Sequence, residues 1–523
     1  MTAEDRPLPA TGESTPSVGD PAGGPAASPL LPADDAGVAR GVFVSATSQV
    51  GVQVLHMALN VVSSLLVIRY LPPSTYGDYV LVLVLMTALN LMCDFGLNRF
   101  AVKEVSVEPG TETEVVGTVV VLRLLLAAAA AVLIQLLMLA LGKSAEVHTA
   151  AAVASLTFVG SALLSVTIAF HVRLQQQFEA LTLLVGELVE TSLVVWLVTH
   201  GGTVSQLFGA VAVGSGAAAL AAIVLVRSRL SLHVRFARRR VAPLLRGAVP
   251  LAAANLAGII LLRIDVVVLA MLRTSREVGL YGAAMAPIEY LGIAGLVLVT
   301  VFLPLLGRYH STDRPRFQSV YRLGTESLLV FVLPLAVVVA LLAEPAVTLV
   351  YSSKYAGAVT PLRLLSFGLI VGSYCAWQAT VLLSVGKQRL IFYLNSTMVF
   401  VGLGLQFVFV PWMGATGAAL GAVLVGSFTA FVGWLLIHRI AGVTVNAGRV
   451  LRVAVAAAVI GAVALGLHAA GLGLWAATAL GAAAYVPALY LLNVAPRHLL
   501  SVLTKESEPA VTAGVVNTEG AVA

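Results

Sequence analysis

The feature that most constrains this chain is a series of hydrophobic runs, each long enough to cross a membrane as a helix. A membrane-spanning helix needs about 20 apolar residues for a hydrocarbon core of roughly 30 Å. Fourteen such runs lie between the two terminal tails. They are predicted over residues 43–69, 76–98, 115–141, 148–170, 180–199, 204–226, 247–272, 280–306, 325–351, 360–385, 389–411, 415–438, 450–470 and 473–493. Runs of this length, without alternating ten-residue segments, exclude a transmembrane β-barrel.

Composition indicates that lipid rather than water surrounds most of the chain. Hydrophobic residues make up 59% of the 523 residues and charged residues 11%, whereas a soluble domain has about 25% charged residues. The net charge of +6 does not indicate nucleic-acid binding, because the arginines concentrate in short loops. Cys93 and Cys375 both lie in apolar runs, and the nine histidines lack metal-ligand spacing. We therefore expect neither a disulfide framework, nor a metal site, nor a cofactor.

A basic segment at residues 227–246 separates two similar halves of the chain. It contains seven arginines and no acidic residue. The arginines are Arg227, Arg229, Arg235, Arg238, Arg239, Arg240 and Arg246. Arginine this dense beside hydrophobic spans predicts a cytoplasmic loop. Its interspersed apolar residues also allow it to lie in the membrane interface with its arginines at anionic headgroups; alternatively it serves topology alone.

The distribution of Lys and Arg predicts the orientation of the spans. With the N-terminus in the cytoplasm, the inside loops and the C-terminal tail carry 21 basic residues and the outside loops carry 6. This bias predicts that both termini are cytoplasmic and that the chain is a multi-pass protein of the plasma membrane. Only five of the 31 basic residues are Lys, which is typical of a GC-rich bacterial genome. Residues 1–36 and 506–523 are polar or rich in small residues and Pro, so both tails are predicted to be disordered.

An internal repeat predicts how the spans are arranged. The tetrapeptide Tyr76–Tyr79 (YGDY) precedes the second span, and Val278–Tyr281 (VGLY) precedes the eighth, with their glycines 202 residues apart. Six spans precede the basic segment, so the two halves run in the same direction. We expect two six-helix lobes, residues 40–226 and 247–440, related by a pseudo-two-fold axis along the membrane normal. Two extra helices over residues 449–493 complete an all-α membrane protein.

Short motifs in both halves resemble a known family. They are Val67–Pro73 (VIRYLPP), Tyr76–Tyr79 (YGDY), Asp94–Arg99 (DFGLNR), Ile264–Val266 (IDV) and Val278–Tyr281 (VGLY). Over about residues 40–495 the chain resembles polysaccharide-biosynthesis membrane proteins, which are lipid-linked oligosaccharide flippases of the multidrug/oligosaccharidyl-lipid/polysaccharide exporter superfamily. The resemblance implies a central cavity between two lobes, alternating access and a sugar on a polyprenyl pyrophosphate as cargo. The two extra helices are similar to those of the lipid II flippase branch, which leaves the cargo open.

Polar residues of the first span form a stripe. They are Ser45, Gln49, Gln53, His56, Asn60 and Ser63, at spacings that place them on one face of a helix. A polar stripe in a lipid-embedded helix needs water or polar partners. We expect it to line a hydrated cavity, with Gln49, Gln53 and Asn60 as substrate-binding candidates. The alternative is hydrogen bonding between packed helices.

Two arginines inside the spans are candidates for binding a pyrophosphate. Arg123 lies about eight residues into the third span and Arg263 slightly past the middle of the seventh. A central Arg or Asp costs roughly 2.5–3.5 kcal/mol on insertion scales, so each should face a cavity or a partner. A guanidinium can donate two parallel hydrogen bonds to phosphate oxygens. Asp265 lies on nearly the opposite helix face from Arg263, so each needs a partner on another helix. The alternative for each arginine is a structural ion pair.

Carboxylates inside the spans are candidates for coupling transport to an ion. Glu187 and Glu190 lie three residues apart near the middle of the fifth span, Asp265 lies in the seventh, and Glu289 follows Pro287 in the eighth. Neighbouring carboxylates away from water are expected to share a proton and to titrate as a coupled unit. The alternative is a structural pair bonded to Ser, Thr or Arg.

Other functions remain as alternatives. A phosphate-binding GxxxxGK[ST] loop is missing, which argues against an ATP-driven pump. Multidrug efflux within the same superfamily is the main alternative, although cation efflux favours acidic, aromatic cavities and the arginines argue against it. A polyprenol-dependent glycosyltransferase is a weaker alternative, so we expect a transporter and not an enzyme. Expected partners are a lipid-linked saccharide, membrane lipids, and a polysaccharide polymerase with glycosyltransferases, but no nucleic acid.

Overall fold

The computed structural model describes residues 35–108, 110–173, 175–230, 234–443 and 446–493. Within this part of the chain the regular structure is entirely helical. The helices are α1 (Asp35–Tyr70), α2 (Pro73–Asp94), α3 (Leu97–Val107), α4 (Glu112–Ala140), α5 (Ala145–Leu163), α6 (Ile168–Val172), α7 (Gln176–His200), α8 (Val204–Leu230), α9 (Arg238–Leu272), α10 (Ser275–Thr312), α11 (Arg314–Ala346), α12 (Val359–Ser384), α13 (Gln388–Ala441), α14 (Ala447–Ala469) and α15 (Leu474–Leu491). Both predicted tails, 1–36 and 506–523, lie outside the described residues, apart from 35 and 36 at the start of α1.

Twelve helical stretches among the described residues are long and apolar enough to cross a membrane. The predicted span 247–272 corresponds to α9, several of whose side chains are not described. The predicted spans 389–411 and 415–438 both fall within α13, where Gly414 leaves the helical region with φ 55° and ψ −129°. The all-helical membrane fold is confirmed, whereas the count of fourteen spans and the pseudo-two-fold axis stay predictions.

The apolar residues divide between a shared core and exposed faces. A single buried cluster draws on both halves and includes Ile68, Leu81, Phe208, Tyr281 and Tyr355, all of them almost fully buried. Other large apolar side chains are exposed; they include Phe400, Trp412 and Leu139, at 75%, 86% and 69% exposure. Helices that are apolar on both their packed and their outward sides are expected when the surrounding solvent is lipid.

The family motif Asp94–Arg99 forms a break between two helices. The predicted second span, 76–98, instead ends at Asp94, where α2 stops. Phe95 and Gly96 both adopt positive φ, at 47° and 71°, and α3 begins at Leu97. Two consecutive left-handed residues cannot continue a right-handed helix. At this break the Asp94 side chain lies near Arg123 of α4.

The basic segment, predicted to be a loop, is largely helical at its two ends. Arg227 and Arg229 lie in the last turn of α8, and α9 already begins at Arg238. Arginine is a good helix former, and positive charge at a helix C-terminus complements the helix dipole. Only a short stretch of the segment, residues 234–237, is non-helical among its described residues.

The two extra helices pack on the C-terminal half. Helices α14 and α15 form a buried cluster around Ile460 and Tyr485, against apolar residues of α11. The Tyr485 hydroxyl donates to the Val330 carbonyl of α11 at 2.7 Å. Arg449, near the start of α14, pairs with Glu326 of α11 at 2.9 Å. These contacts attach α14 and α15 to α11.

Candidate functional site

The polar stripe of α1 contacts both halves of the chain. His56 Nε2 lies 3.3 Å from Glu187 Oε2 on α7. One turn later, the Tyr290 hydroxyl of α10 donates to Asn60 Oδ1 at 2.8 Å. Gln53, one turn earlier, is exposed, whereas the side chains of Ser45 and Gln49 are not described. The stripe therefore provides polar contacts between α1, α7 of the N-terminal half and α10 of the C-terminal half.

The two glutamates of α7 differ in their surroundings. Glu187 is buried at 6% exposure, and its Oε1 has no hydrogen-bond partner among the described residues. Glu190, one turn further, is partly buried and lies within electrostatic range of Glu187 and of Tyr79. A Cβ added to Gly214 of α8 would lie 2.8 Å from Glu190 Cβ. The glycine lets α8 pack closely against α7 at the level of the two carboxylates.

A second charged group lies on α9 and α10. Arg263 Nη1 contacts Glu289 Oε1 at 2.5 Å, and the pair is partly exposed. Asp265 is buried at 7% exposure and accepts from the hydroxyl of Tyr281 and from the Val266 backbone N–H. Arg263 and Asp265 thus each have a partner on α10, as the sequence required. The guanidinium is neutralised by Glu289 in this conformation.

Tyr290 brings the two charged groups into one neighbourhood. It lies within electrostatic range of Glu187 and Glu190 on α7 and of Glu289 on its own helix. We call His56, Asn60, Glu187, Glu190 and Tyr290 the central cluster. Together with the pair Arg263–Glu289 and with Asp265, this neighbourhood holds four carboxylates against one arginine and one histidine. It is therefore rich in acidic and tyrosine side chains.

Arg123 lies apart from the central cluster. It is buried at 4% exposure within the N-terminal half. Its Nη1 donates to the hydroxyl of Ser165, in the short turn after α5, at 2.7 Å, and its Nη2 donates to that of Ser161 on α5 at 2.9 Å. Nη1 also lies 3.8 Å from Asp94 Oδ1. The structure does not bring Arg123 together with Arg263, nor with the glutamates of α7. Asp94, at the end of α2, is the charged partner of this arginine.

The two repeated tetrapeptides pack directly against each other. A Cβ added to Gly77 would lie 1.6 Å from the carbonyl oxygen of Ser275, and one added to Gly279 would lie 1.9 Å from that of Pro73. Each repeat thus uses its glycine to admit the backbone of the other. We call the contact between residues 73–78 of α2 and 275–279 of α10 the glycine seam.

Polar side chains surround the glycine seam. The Ser275 hydroxyl donates to Asp78 Oδ1 at 2.6 Å. Lys143 Nζ lies 3.6 Å from the same carboxylate and 3.3 Å from the Ser275 hydroxyl. The Tyr355 hydroxyl donates to the Leu71 carbonyl at 2.9 Å. These contacts join the two halves at one end of the helices, the outer end in the predicted topology.

Sequence reasoning missed a pair of residues that caps the break in α13. Glu277 Oε2 accepts from the Ala415 N–H at 2.7 Å, directly after Gly414. Arg273 donates to the carbonyls of Val410 and Pro411 at 3.1 and 2.5 Å. An acid at a helix N-terminus and a base at a C-terminus satisfy free backbone groups and complement the dipoles. No local sequence signal links residues 273 and 277 to 410–415, because the contact is long-range.

His56 and Tyr290 were also absent from the sequence-based set of site residues. His56 belongs to the predicted stripe, so its spacing could have included it. Tyr290 directly follows the candidate Glu289, but its role depends on α10 crossing α1. Periodicity within one helix does not reveal which neighbouring helix it faces.

The fold is that of membrane transporters of the multidrug/oligosaccharidyl-lipid/polysaccharide (MOP) exporter superfamily. The chain is similar to the lipid II flippase MurJ in an inward closed conformation, with a TM-score of 0.71, 14% identity, and coverage of 86% of this chain and 99% of that one. It is also similar to an inward-facing multidrug resistance MATE family transporter, with a TM-score of 0.61, 15% identity, and coverage of 74% of this chain and 94% of that one. For a MOP superfamily transporter from Pyrococcus furiosus the TM-score is 0.53, with 15% identity and coverage of 76% of this chain and 94% of that one. At these identities the likeness is one of fold.

The family itself is shown by the sequence. The model of the polysaccharide biosynthesis protein family matches residues 66–360, more than half of the chain, and the chain belongs to this family. No curated protein matches the chain by sequence. The family model confirms the predicted polysaccharide biosynthesis family, and the solved structures confirm the predicted multi-helix membrane fold.

Proposed function

We propose that this protein moves a polyprenyl-pyrophosphate-linked saccharide from the cytoplasmic to the outer leaflet of a bacterial plasma membrane by alternating access. The observation that carries the proposal is the polar and charged central cluster where α1, α7 and α10 meet, in a chain of the polysaccharide biosynthesis family. Charged side chains inside a membrane mark substrate or ion pathways. Both termini lie in the cytoplasm in this proposal, and a polymerase with glycosyltransferases supplies and consumes the cargo.

Arg263 is the proposed anion-binding residue, and Glu289 is its partner when cargo is absent. The pair is partly exposed, with Arg263 at 25% and Glu289 at 46%, so an anion can reach the guanidinium. A pyrophosphate oxygen would replace the Glu289 carboxylate, and the fork geometry of the guanidinium favours two-point contact. Gln53 and Asn60 on the stripe, and Gln49 whose side chain is not described, are proposed to bind the polar part of the cargo.

The test of this role compares Arg263 with its partner. We expect Arg263→Ala to abolish flipping in proteoliposomes while the protein stays folded, and Arg263→Lys to rescue it only partly. Glu289→Gln, which removes the competing charge and keeps the shape, should tighten cargo binding. Normal flipping by folded Arg263→Ala would exclude the pyrophosphate role.

Arg123, the second candidate from the sequence, is proposed to act by a different route. Its buried contacts to Asp94, Ser161 and Ser165 support a role in holding α2, α4 and α5 together. Removing one partner of a fully buried pair costs about 3–5 kcal/mol, because it leaves the other charge uncompensated. The cost here is smaller, because the Asp94 side chain is 30% exposed. We expect Arg123→Ala to lower thermal stability strongly, and Asp94→Asn in that background to restore part of it. A folded, fully stable Arg123→Ala that fails to flip would instead support direct cargo binding.

Glu187 and Glu190 are proposed to couple flipping to a proton gradient. The two carboxylates are adjacent, Glu187 contacts a histidine, and the cluster lies where both halves meet. A proton taken up at one side and released at the other would return the empty carrier, with Asp265 and Glu289 as further acidic groups along α9 and α10.

A double variant tests the coupling site. Glu187→Gln with Glu190→Gln keeps the shape and removes the titration. In proteoliposomes the wild-type rate should respond to an imposed pH gradient, and the double variant should not. Thr191→Val, one residue beyond the pair, is the matched control and should keep the response. If the double variant responds like the wild type, the pair is not the coupling site.

Organic-cation efflux is the second candidate function, and one observation favours it. The central neighbourhood holds four carboxylates and several tyrosines, while its single arginine is already paired. Acidic, aromatic cavities suit cations. Transport of a fluorescent organic cation, with no flipping of a lipid-linked saccharide, would favour this reading. Sugar transfer by the purified protein would instead identify it as a glycosyltransferase.

A further inference from the structure

A partly open cavity lies in the N-terminal half, away from the central cluster. Its volume is about 360 Å³, within the roughly 300–1,000 Å³ range of ligand pockets. Residues of α4, α8 and the stretch 234–237 line most of it. The lining residues include Val120, Val121, Ile223, Val226, Arg227 and Phe236. The wall is almost entirely apolar, and the one charged residue that lines it is Arg227.

The cavity lies near the ends of its helices, beside the basic segment. Val120 and Val121 come eight and nine residues after the start of α4, and Arg227 lies three residues before the end of α8. At 1.5 Å per residue the cavity is thus roughly 5–14 Å from these helix ends. In the predicted topology these helix ends lie on the cytoplasmic side of the membrane.

The stretch 234–237 is fixed over the cavity by contacts with α4. The Arg235 N–H donates to the Thr113 carbonyl at 3.0 Å, and the Ala237 N–H donates to Thr118 Oγ1 at 3.1 Å. A Cβ added to Gly117 would lie 2.4 Å from the Arg235 carbonyl oxygen, so α4 needs glycine at that position. The cavity is therefore a built feature, with Phe236 held at its edge.

The arginines of the basic segment divide into paired and unpaired groups. Arg239 and Arg240 are neutralised by three glutamates near α4, and Arg229 lies over the ring of Phe178 at 5.5 Å. Among the described residues, no ion-pair partner is found for Arg227, Arg235, Arg238 or Arg246, and of these four only Arg227 lines the cavity. Arg227 thus presents an uncompensated positive charge at the mouth of an apolar cavity.

We infer that this cavity binds an anionic phospholipid of the cytoplasmic leaflet, with an acyl chain inside and the headgroup phosphate at Arg227. Basic pockets between transmembrane helices are suited to anionic headgroups, because a buried chain and a charge contact act together. The two exposed apolar side chains of the stretch, Val234 at 44% and Phe236 at 51%, are suited to the same leaflet. The occupant is a membrane phospholipid rather than the cargo, because the cavity lies within the N-terminal half.

Lipid binding to the purified full chain in detergent tests the inference. Native mass spectrometry would compare phosphatidylglycerol with phosphatidylcholine of the same acyl chains. We expect wild type to prefer phosphatidylglycerol and Arg227→Ala to weaken that binding by about fivefold, since an interfacial arginine contributes roughly that factor. Arg238→Ala, an exposed arginine in the same segment that does not line the cavity, is the matched control and should change binding less than twofold.

A second variant tests the cavity independently of charge. Val121→Trp fills it, and should reduce binding of both lipids while Arg227→Ala reduces only the anionic preference. Equal losses in Arg227→Ala and Arg238→Ala would overturn the site in favour of a general electrostatic attraction. Unchanged binding by Val121→Trp would overturn the acyl-chain assignment. Displacement of phosphatidylglycerol by inorganic phosphate alone, or by a polyprenyl phosphate at equal concentration, would overturn the choice of occupant.

Discussion

Adding one methyl group at the glycine seam should shift the conformational equilibrium of the proposed alternating-access cycle. In Gly77→Ala the new Cβ would lie 1.6 Å from the Ser275 carbonyl oxygen and 2.9 Å from the Gly279 nitrogen. Ordinary contact begins near 3.4 Å, so α2 and α10 would have to separate by about 1.8 Å at this point. The opposing atoms are backbone, so rotation of a side chain cannot relieve the clash.

The size of the shift follows from the cost of overpacking. Inserting a methylene-sized group into a close-packed contact costs typically about 1–3 kcal/mol. Conformations in which the seam is open do not incur this cost. The ratio of open to closed molecules should therefore rise by about 5- to 150-fold. In the predicted topology the seam is at the outer end of the helices, so the outward-facing population increases.

Thiol labelling measures this population. A single cysteine replacing Asn60 in the central cluster, in a background lacking Cys93 and Cys375, reports access from outside to an impermeant reagent in intact cells. Its labelling rate should rise in Gly77→Ala. Gly279→Ala should act likewise, since its Cβ would lie 1.9 Å from the Pro73 carbonyl oxygen.

Gly216→Ala is the matched control for this experiment. It is a mid-helix glycine with nothing within 4 Å of its added Cβ. Its labelling rate should equal that of the parent. If Gly77→Ala also labels at the parent rate, the seam does not gate access, and the reasoning from the close contact is wrong.

Two further predictions concern stability and topology. Glu277→Ala removes the acid that caps the second part of α13, and should lower the free energy of unfolding by about 0.5–2 kcal/mol, the usual range for a lost cap. Thermal melting in detergent should show a lower midpoint. Glu344→Ala, which removes an exposed surface pair, is the control and should leave the midpoint unchanged. A single cysteine at position 235 should be protected from an impermeant thiol reagent in intact cells, and one at position 354 should label. The reverse pattern would overturn the predicted orientation.

The sequence by itself determined that lipid surrounds most of the chain, that the fold is helical, and where most helices lie. Hydrophobic length sets where a chain crosses lipid, because every backbone polar group must be satisfied within its own helix there. That requirement is local, so it is readable from one segment at a time. The repeat at Gly77 and Gly279 also followed from the sequence, although the direct contact between the two copies did not.

Only the tertiary structure decided which charges meet. Arg123 and Arg263 looked equivalent in the sequence, as arginines inside apolar spans. The fold places Arg123 against Asp94 in the N-terminal half and Arg263 against Glu289 in the C-terminal half. Arg123 reaches Asp94 because α2 ends there. The sequence predicted a continuous second span over residues 76–98, so it did not indicate this break. Charge pairing depends on how helices distant in sequence cross, and the period of a single helix carries no information about that crossing.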